Sequence, residues 1–169
     1  MQSNVIKLAA TIVLGAAAFS GAPAAIAQKD GGPAPVEDVW KPAATPKGGV
    51  SWKILESTSE TTRKDEQGYI VSKPKFTNQV KKLAGKRIKV AGWMMPLETG
   101  KTQKRFVLLA YPPGCPFHFH AAPFQFIEVY ADKPFPTNET KVHVVSGVLE
   151  LTGYDESGIF YRLRQSRPS

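Results

Sequence analysis

The sequence predicts a mainly β protein, a small five-stranded barrel with one short helix, and three observations carry that expectation. Beyond Val50 the apolar residues fall in short runs of strand length, Gly and Pro punctuate the intervals between them, and only one stretch has helical spacing. The 42% hydrophobic content supports a folded core, whereas the Pro- and Gly-rich stretch ahead of it does not.

Residues 1–27 have the anatomy of a secretory signal peptide, with Lys7 as the charged start, Leu8 to Phe19 as the apolar run, and Ala25-Ile26-Ala27 as a small-x-small cleavage site. The run is too short for a transmembrane helix, which needs about 20 apolar residues. Cleavage after Ala27 would leave 142 residues, enough for one domain, and would place it in an oxidising compartment, a bacterial periplasm. Residues 28–49, with Gly31-Gly32-Pro33-Ala34-Pro35 and Lys41-Pro42-Ala43-Ala44-Thr45-Pro46, read as a flexible linker, and the barrel domain is assigned to residues 50–166.

Ser51 to Leu55 opens the domain with Trp52, Ile54 and Leu55 as apolar anchors, and the polar stretch Ser57 to Gly68 reads as an exposed loop. Phe76, Val80 and Leu83 lie at i, i+4 and i+7, which predicts the helix, with Gly85 as its stop. Five strands follow: Lys86 to Met94, Arg105 to Tyr111, Gln125 to Ala131, Lys141 to Leu151, and Ile159 to Leu163. Gly147 inside the fourth suggests a bulge or bend. Five strands and one helix suit an OB-like barrel, the small Greek-key barrel that binds oligonucleotides and oligosaccharides.

The only cysteine and two of the three histidines fall within six residues, Cys115-Pro116-Phe117-His118-Phe119-His120, between the second and third barrel strands. Prolines 112, 113, 116 and 123 stiffen the segment against helix formation. In extended backbone His118 and His120 share one face and Phe117 and Phe119 the other. One thiolate with two imidazoles suits zinc or copper rather than calcium or magnesium, and three protein ligands leave a fourth zinc position open. Met94 and Met95 are candidate thioether ligands for copper, and His143 is a further candidate. The competing reading makes Cys115 a buried apolar residue, His118 and His120 a polar strand face, and the two methionines core filler.

Cys115-Pro116-Phe117-His118 resembles a thioredoxin-type CPxC motif lacking its second cysteine, but His118 to Pro123 forms a poor helix and cannot supply the dipole that chemistry uses. A Cys-His nucleophilic pair would need an orienting Asn or Asp and an oxyanion site, and no local motif supplies them, so a non-enzymatic role is expected. The formal charge of +8 would raise nucleic acid as a partner for a cytosolic OB-like protein, and export argues against it. The run Lys73, Lys75, Lys81, Lys82, Lys86, Arg87 and Lys89 instead suggests a second function class, a metal-independent interaction module that docks on an envelope transporter or an anionic surface.

Gly92-Trp93-Met94-Met95-Pro96-Leu97-Glu98, the apolar run Phe106 to Tyr111, Gly114-Cys115 with His118 and Pro123, and Ser146-Gly147-Val148-Leu149 together resemble an exported bacterial family known only as a domain of unknown function. The resemblance covers residues 51–164 and rests most on the G-aromatic-M-x-P-L-E motif. It implies an OB-like barrel, a periplasmic location and, in some members, association with transition-metal handling and transporters. The chain departs from the family pattern after the cysteine, where Phe117 to Gln125 replaces a Cys-x-His followed by a proline-rich run and Asn-Gln; Gln125 is the counterpart of the family glutamine. The leading expectation is an exported zinc- or copper-binding protein acting as carrier, sensor or transporter accessory through Cys115, His118 and His120.

Overall fold

The computed structural model describes residues 41–114, 121–153 and 158–169. Two short helices, a two-stranded ribbon and a closed five-stranded barrel follow one another along the chain. The helices are α1 (Trp52–Leu55) and α2 (Asn78–Lys81). The ribbon pairs β1 (Ser59–Lys64) with β2 (Ile70–Lys75) in antiparallel register, and the barrel comprises β3 (Arg87–Pro96), β4 (Thr102–Leu109), β5 (Phe126–Pro136), β6 (Val142–Leu151) and β7 (Tyr161–Pro168).

The barrel order is β3-β4-β5-β7-β6, and β6 returns to pair with β3. All neighbours are antiparallel except β5 and β7, which run parallel. Closure follows from the length of β3: its first part, Arg87 to Trp93, pairs with β6, and its last part, Trp93 to Pro96, pairs with β4. A strand shared in this way leaves the barrel no free edge.

Side-chain alternation fills the interior. Val90, Met94, Phe106, Leu108, Ile127, Val129, Val145, Leu149 and Leu163 are all fully buried in one core cluster. At Gly92 an added Cβ would stand 2.5 Å from the Leu109 carbonyl oxygen, so β3 and β4 approach there as only glycine allows.

The register slips where Gly147 lies, between Ser146 and Val148 of β6, and the one extra residue belongs to β7. Gln165 there has φ +49, a left-handed conformation, and the β5–β7 ladder shifts at the same place. A Cβ at Gly147 would lie 2.4 Å from Ser166 Oγ.

The helix expected around Phe76 to Leu83 is α2, capped by the Thr77 hydroxyl, which accepts from Val80 N at 3.4 Å, and stopped near Gly85 at φ +70. A second helix, α1, stands where only apolar anchors were expected. The Ser51 hydroxyl accepts from Lys53 N, Trp52 Nε1 donates to the Ala91 carbonyl at 2.7 Å, and Leu55 is fully buried. The expected loop Ser57 to Gly68 is instead mostly β1 and its turn; every residue of β1 is exposed, so the polar composition that suggested a loop reflects a solvated ribbon.

β5 runs five residues beyond Ala131, to Pro136, because Phe135 returns to the core at 2% exposure after the polar Asp132-Lys133-Pro134. β7 begins at Tyr161 and continues through a polar end to Pro168. Chain packing begins upstream of Val50: Ala43 is buried, and its N–H donates to the Ala110 carbonyl at 2.8 Å. No helix among the described residues is long and apolar enough to cross a membrane.

Candidate functional site

Cys115, His118 and His120 lie outside the described residues, but both chain segments that lead to them are fixed. Ala110 N donates to the Gln125 carbonyl at 2.9 Å, which ties the end of β4 to the start of β5 and closes the base of the connection. On the far side a 3-10 turn, Pro123–Gln125, begins with a proline, whose missing N–H costs nothing at that position. Gln125 Oε1 accepts from Ala122 N at 3.0 Å, while Gln125 Nε2 donates to Glu56 Oε1 at 3.2 Å. The glutamine therefore locks the turn and fastens it to the end of α1. Tyr111, at the start of the connection, has its phenol pushed up by burial and by the adjacent Glu56 carboxylate.

The further candidate ligands fall in different places. Met94 is fully buried in the barrel core. Met95 points to the outer wall, where it packs with Trp93, Ala121 and Ile159 against a second apolar cluster of Val107, Leu109 and Phe126. Ala121 follows His120 directly in the chain, so Met95 shares a cluster with a residue adjoining the Cys-His segment. His143 sits near the start of β6, with its ring 6.5 Å from that of Phe135 near the end of β5 and its Nε2 2.7 Å from the Asn138 carbonyl oxygen. Among the described residues no group of three or more His, Cys, Asp or Glu could hold a metal ion.

The basic run divides among four elements: Lys73 and Lys75 on β2, Lys81 on α2 with Lys82 as its cap, Lys86 in the connection, and Arg87 and Lys89 on β3. All except the partly covered Lys89 are exposed. Arg87 Nη1 donates to the Gln165 carbonyl at 3.1 Å, so its role includes pinning the bulge of β7.

A cluster that sequence reasoning missed occupies the outer wall of β4, β5, β6 and β7. Glu128, only 1% exposed, accepts at Oε1 from Arg105 Nε (2.8 Å) and Nη2 (2.5 Å) and from the Tyr130 hydroxyl (3.0 Å), and at Oε2 from Arg162 Nε (2.9 Å). Arg164 Nε donates to Glu150 Oε2 at 2.7 Å, and the Arg164 guanidinium lies 3.9 Å from the Tyr130 ring centre. The Arg105 guanidinium lies 5.4 Å from the same ring.

Burial alone would raise the Glu128 carboxyl, but the hydrogen bonds from Arg162, Arg105 and Tyr130 outweigh it and hold the group below its ordinary value. The available signal was a glutamate inside the apolar strand run Phe126 to Tyr130, together with arginines alternating with Tyr161 and Leu163.

The family model described as "Protein of unknown function (DUF3299)" matches residues 35–165 of this sequence. The chain belongs to this family. A crystal structure of a DUF3299 family protein from Pseudomonas aeruginosa PAO1 is similar at 20% identity and a TM-score of 0.45, over 57% of this chain and 67% of that one. No curated protein matches the chain.

Proposed function

We propose that this DUF3299 protein is an exported, periplasmic protein whose barrel, of the OB type, carries a transition-metal site at Cys115, His118 and His120. Zinc and copper both suit one thiolate and two imidazoles, and the protein serves as a carrier, sensor or transporter accessory rather than as an enzyme. The observation that carries the reading is the concentration of the only cysteine and two of three histidines in six residues. The tied base of that connection, from Ala110 to Gln125, adds support, since a ligand set on a short anchored loop loses less chain entropy on binding. The OB assignment is supported by the strand order and by the parallel pairing of the third and fifth barrel strands.

Met95, on the outer wall with Ala121, is the thioether better placed to join a copper site; Met94 is committed to the core. Metal content measured on protein purified from the periplasm tests the reading. The account expects near-stoichiometric zinc or copper, lost in Cys115→Ser and in a His118→Ala, His120→Ala variant. Equal metal in wild type and variants counts against it.

A second reading, a metal-independent interaction module, is favoured by the ribbon β1–β2. Tyr69, in its turn, and Ile70, at the start of β2, are 72% and 71% exposed, and the exposed Lys73 and Lys75 lie further along β2. Capture of an envelope partner should then depend on Lys73 and Lys75 and survive loss of Cys115 and both histidines; dependence on the histidines would contradict it.

A further inference from the structure

Among the described residues the ribbon β1–β2 pairs with no third strand, and its two edges differ in what they can accept. β2 is poorly suited to a further strand: Pro74 lacks an N–H, and Lys73 and Lys75 set like charges on either side of it. β1 has no proline and is exposed at every residue, and its ladder with β2 runs from Ser59 to Lys64 without a bulge. Its outer edge therefore presents an unbroken row of backbone donors and acceptors. A two-stranded hairpin is marginal in water, and this one has no buried residue on either strand.

The β1 edge is its own complement. Period two puts Glu60, Thr62 and Lys64 on one face of the strand. When two copies pair antiparallel about a two-fold axis normal to the sheet, side chains keep their faces only if the residue on the axis meets itself. With Thr62 on the axis, Glu60 of each copy stands opposite Lys64 of the other, and the two β-branched threonines oppose each other between those pairs. An axis on Thr61 sets Glu60 against Thr62 and loses both charge pairs, and an axis on Arg63 sets two guanidiniums against each other. Glu60 and Lys64 make no ion pair among the described residues, and within the ribbon they stand opposite Pro74 and Ile70.

We propose that β1 is a self-association edge, through which two copies of this chain join antiparallel into a four-stranded sheet of order β2-β1-β1-β2 with Thr62 on the two-fold axis. A partner of another sequence would have to bring the Glu-x-Thr-x-Lys complement that the chain already carries in register. One strand edge buries less than the roughly 1,200 Å² of a stable interface, so the dimer is transient, with a Kd on the order of 100 µM. The inference rests on neither the metal site nor Lys73 and Lys75.

Sedimentation equilibrium of the full exported chain tests it, in reducing buffer so that Cys115 forms no disulfide, and at about 0.15 M salt to screen repulsion between net-positive chains. From about 10 µM to about 1 mM the wild type should pass from monomer toward dimer. Glu60→Lys and Lys64→Glu each set like charges opposite one another and should each weaken association by about tenfold or more. An equimolar mixture of the two variants, and the double variant Glu60→Lys, Lys64→Glu, recreate opposite pairs and should return to within about threefold of wild type. Lys81→Glu makes the same charge change on α2 and should alter association by less than about twofold.

Should one single variant fail to fold, the other and the double swap carry the test. A wild type that stays monomeric at the highest concentration, equal weakening by Lys81→Glu and Lys64→Glu, or a double swap that associates no better than the single variants would each overturn the proposal.

Discussion

Replacing Glu128 with glutamine removes a charge from the most buried anionic position described, and the structure sets the size of the effect. Glutamine keeps one acceptor oxygen, enough for Arg105 or Arg162 but not both, and its amide nitrogen would face a guanidinium donor. Arg162 is 20% exposed, and losing a charge-assisted hydrogen bond there should cost about 2 kcal/mol. Arg105 is 53% exposed and rehydrates, so its loss should add less than about 1 kcal/mol. The sum, about 2–3 kcal/mol, corresponds to a melting temperature lower by roughly 6–12 °C for a domain of this size.

Urea unfolding at pH 7 measures it, and a double-mutant cycle with Arg162→Met should return a coupling above about 1 kcal/mol. Because the folded Glu128 carboxyl sits below its ordinary value of 4.5, its stabilisation is complete above that pH and is lost as pH falls through the lower folded value. The acid limb of the wild-type stability profile should therefore be steeper than that of Glu128→Gln. A stability loss under about 1 kcal/mol, with identical acid limbs, would refute the view that the cluster is an organised, desolvated network.

Other substitutions probe the fold. Gln165 holds φ +49, so Gln165→Gly should stabilise the protein by up to about 1 kcal/mol by chemical denaturation, where glycine elsewhere in a strand destabilises. Gly92→Ala would place a Cβ 2.8 Å from Leu108 Cγ and nearer still to the Leu109 carbonyl, and should lower stability by at least about 2 kcal/mol by the same measurement. Burial pushes the Tyr161 phenol up to about 12, with the Thr58 hydrogen bond opposing, so the favourable contribution of the neutral phenol is complete below pH 10 and is lost as pH rises through about 12. Tyr161→Phe removes the 2.7 Å donation to the Leu55 carbonyl, which keeps Thr58 N at 3.1 Å, and leaves the buried Thr58 hydroxyl without its phenol partner; this should cost about 1–2 kcal/mol and remove from an ultraviolet pH titration the tyrosine that ionises near pH 12.

The barrel was legible because its strands alternate cleanly: Ile88, Val90 and Met94 on β3 face the core as period two requires. Gly147 and Gly85 marked a register shift and a helix stop for reasons local to glycine. The parts that were not legible depend on long-range partners. Ser59 to Lys64 has no apolar face, and only its pairing with Ile70 to Lys75 makes it a strand. The extension of β5 to Pro136 depends on Phe135 finding Phe106, 5.1 Å away between ring centres.

The charged wall was hidden because Arg105, Glu128, Glu150 and Arg162 come from four strands, and each alone reads as an ordinary surface charge. For the candidate metal segment the residue types were legible, while the role of Gln125 as the clasp of the flanking turn depends on Glu56, 69 residues earlier in the chain.

A native mass spectrum of the intact protein recovered from the periplasm of an expressing bacterium tests the central claim most directly. The account predicts a chain beginning at Gln28 that carries one zinc or copper ion, with the ion absent from Cys115→Ser. A chain beginning at Gln28 with no bound metal under reducing, chelator-free conditions would contradict it.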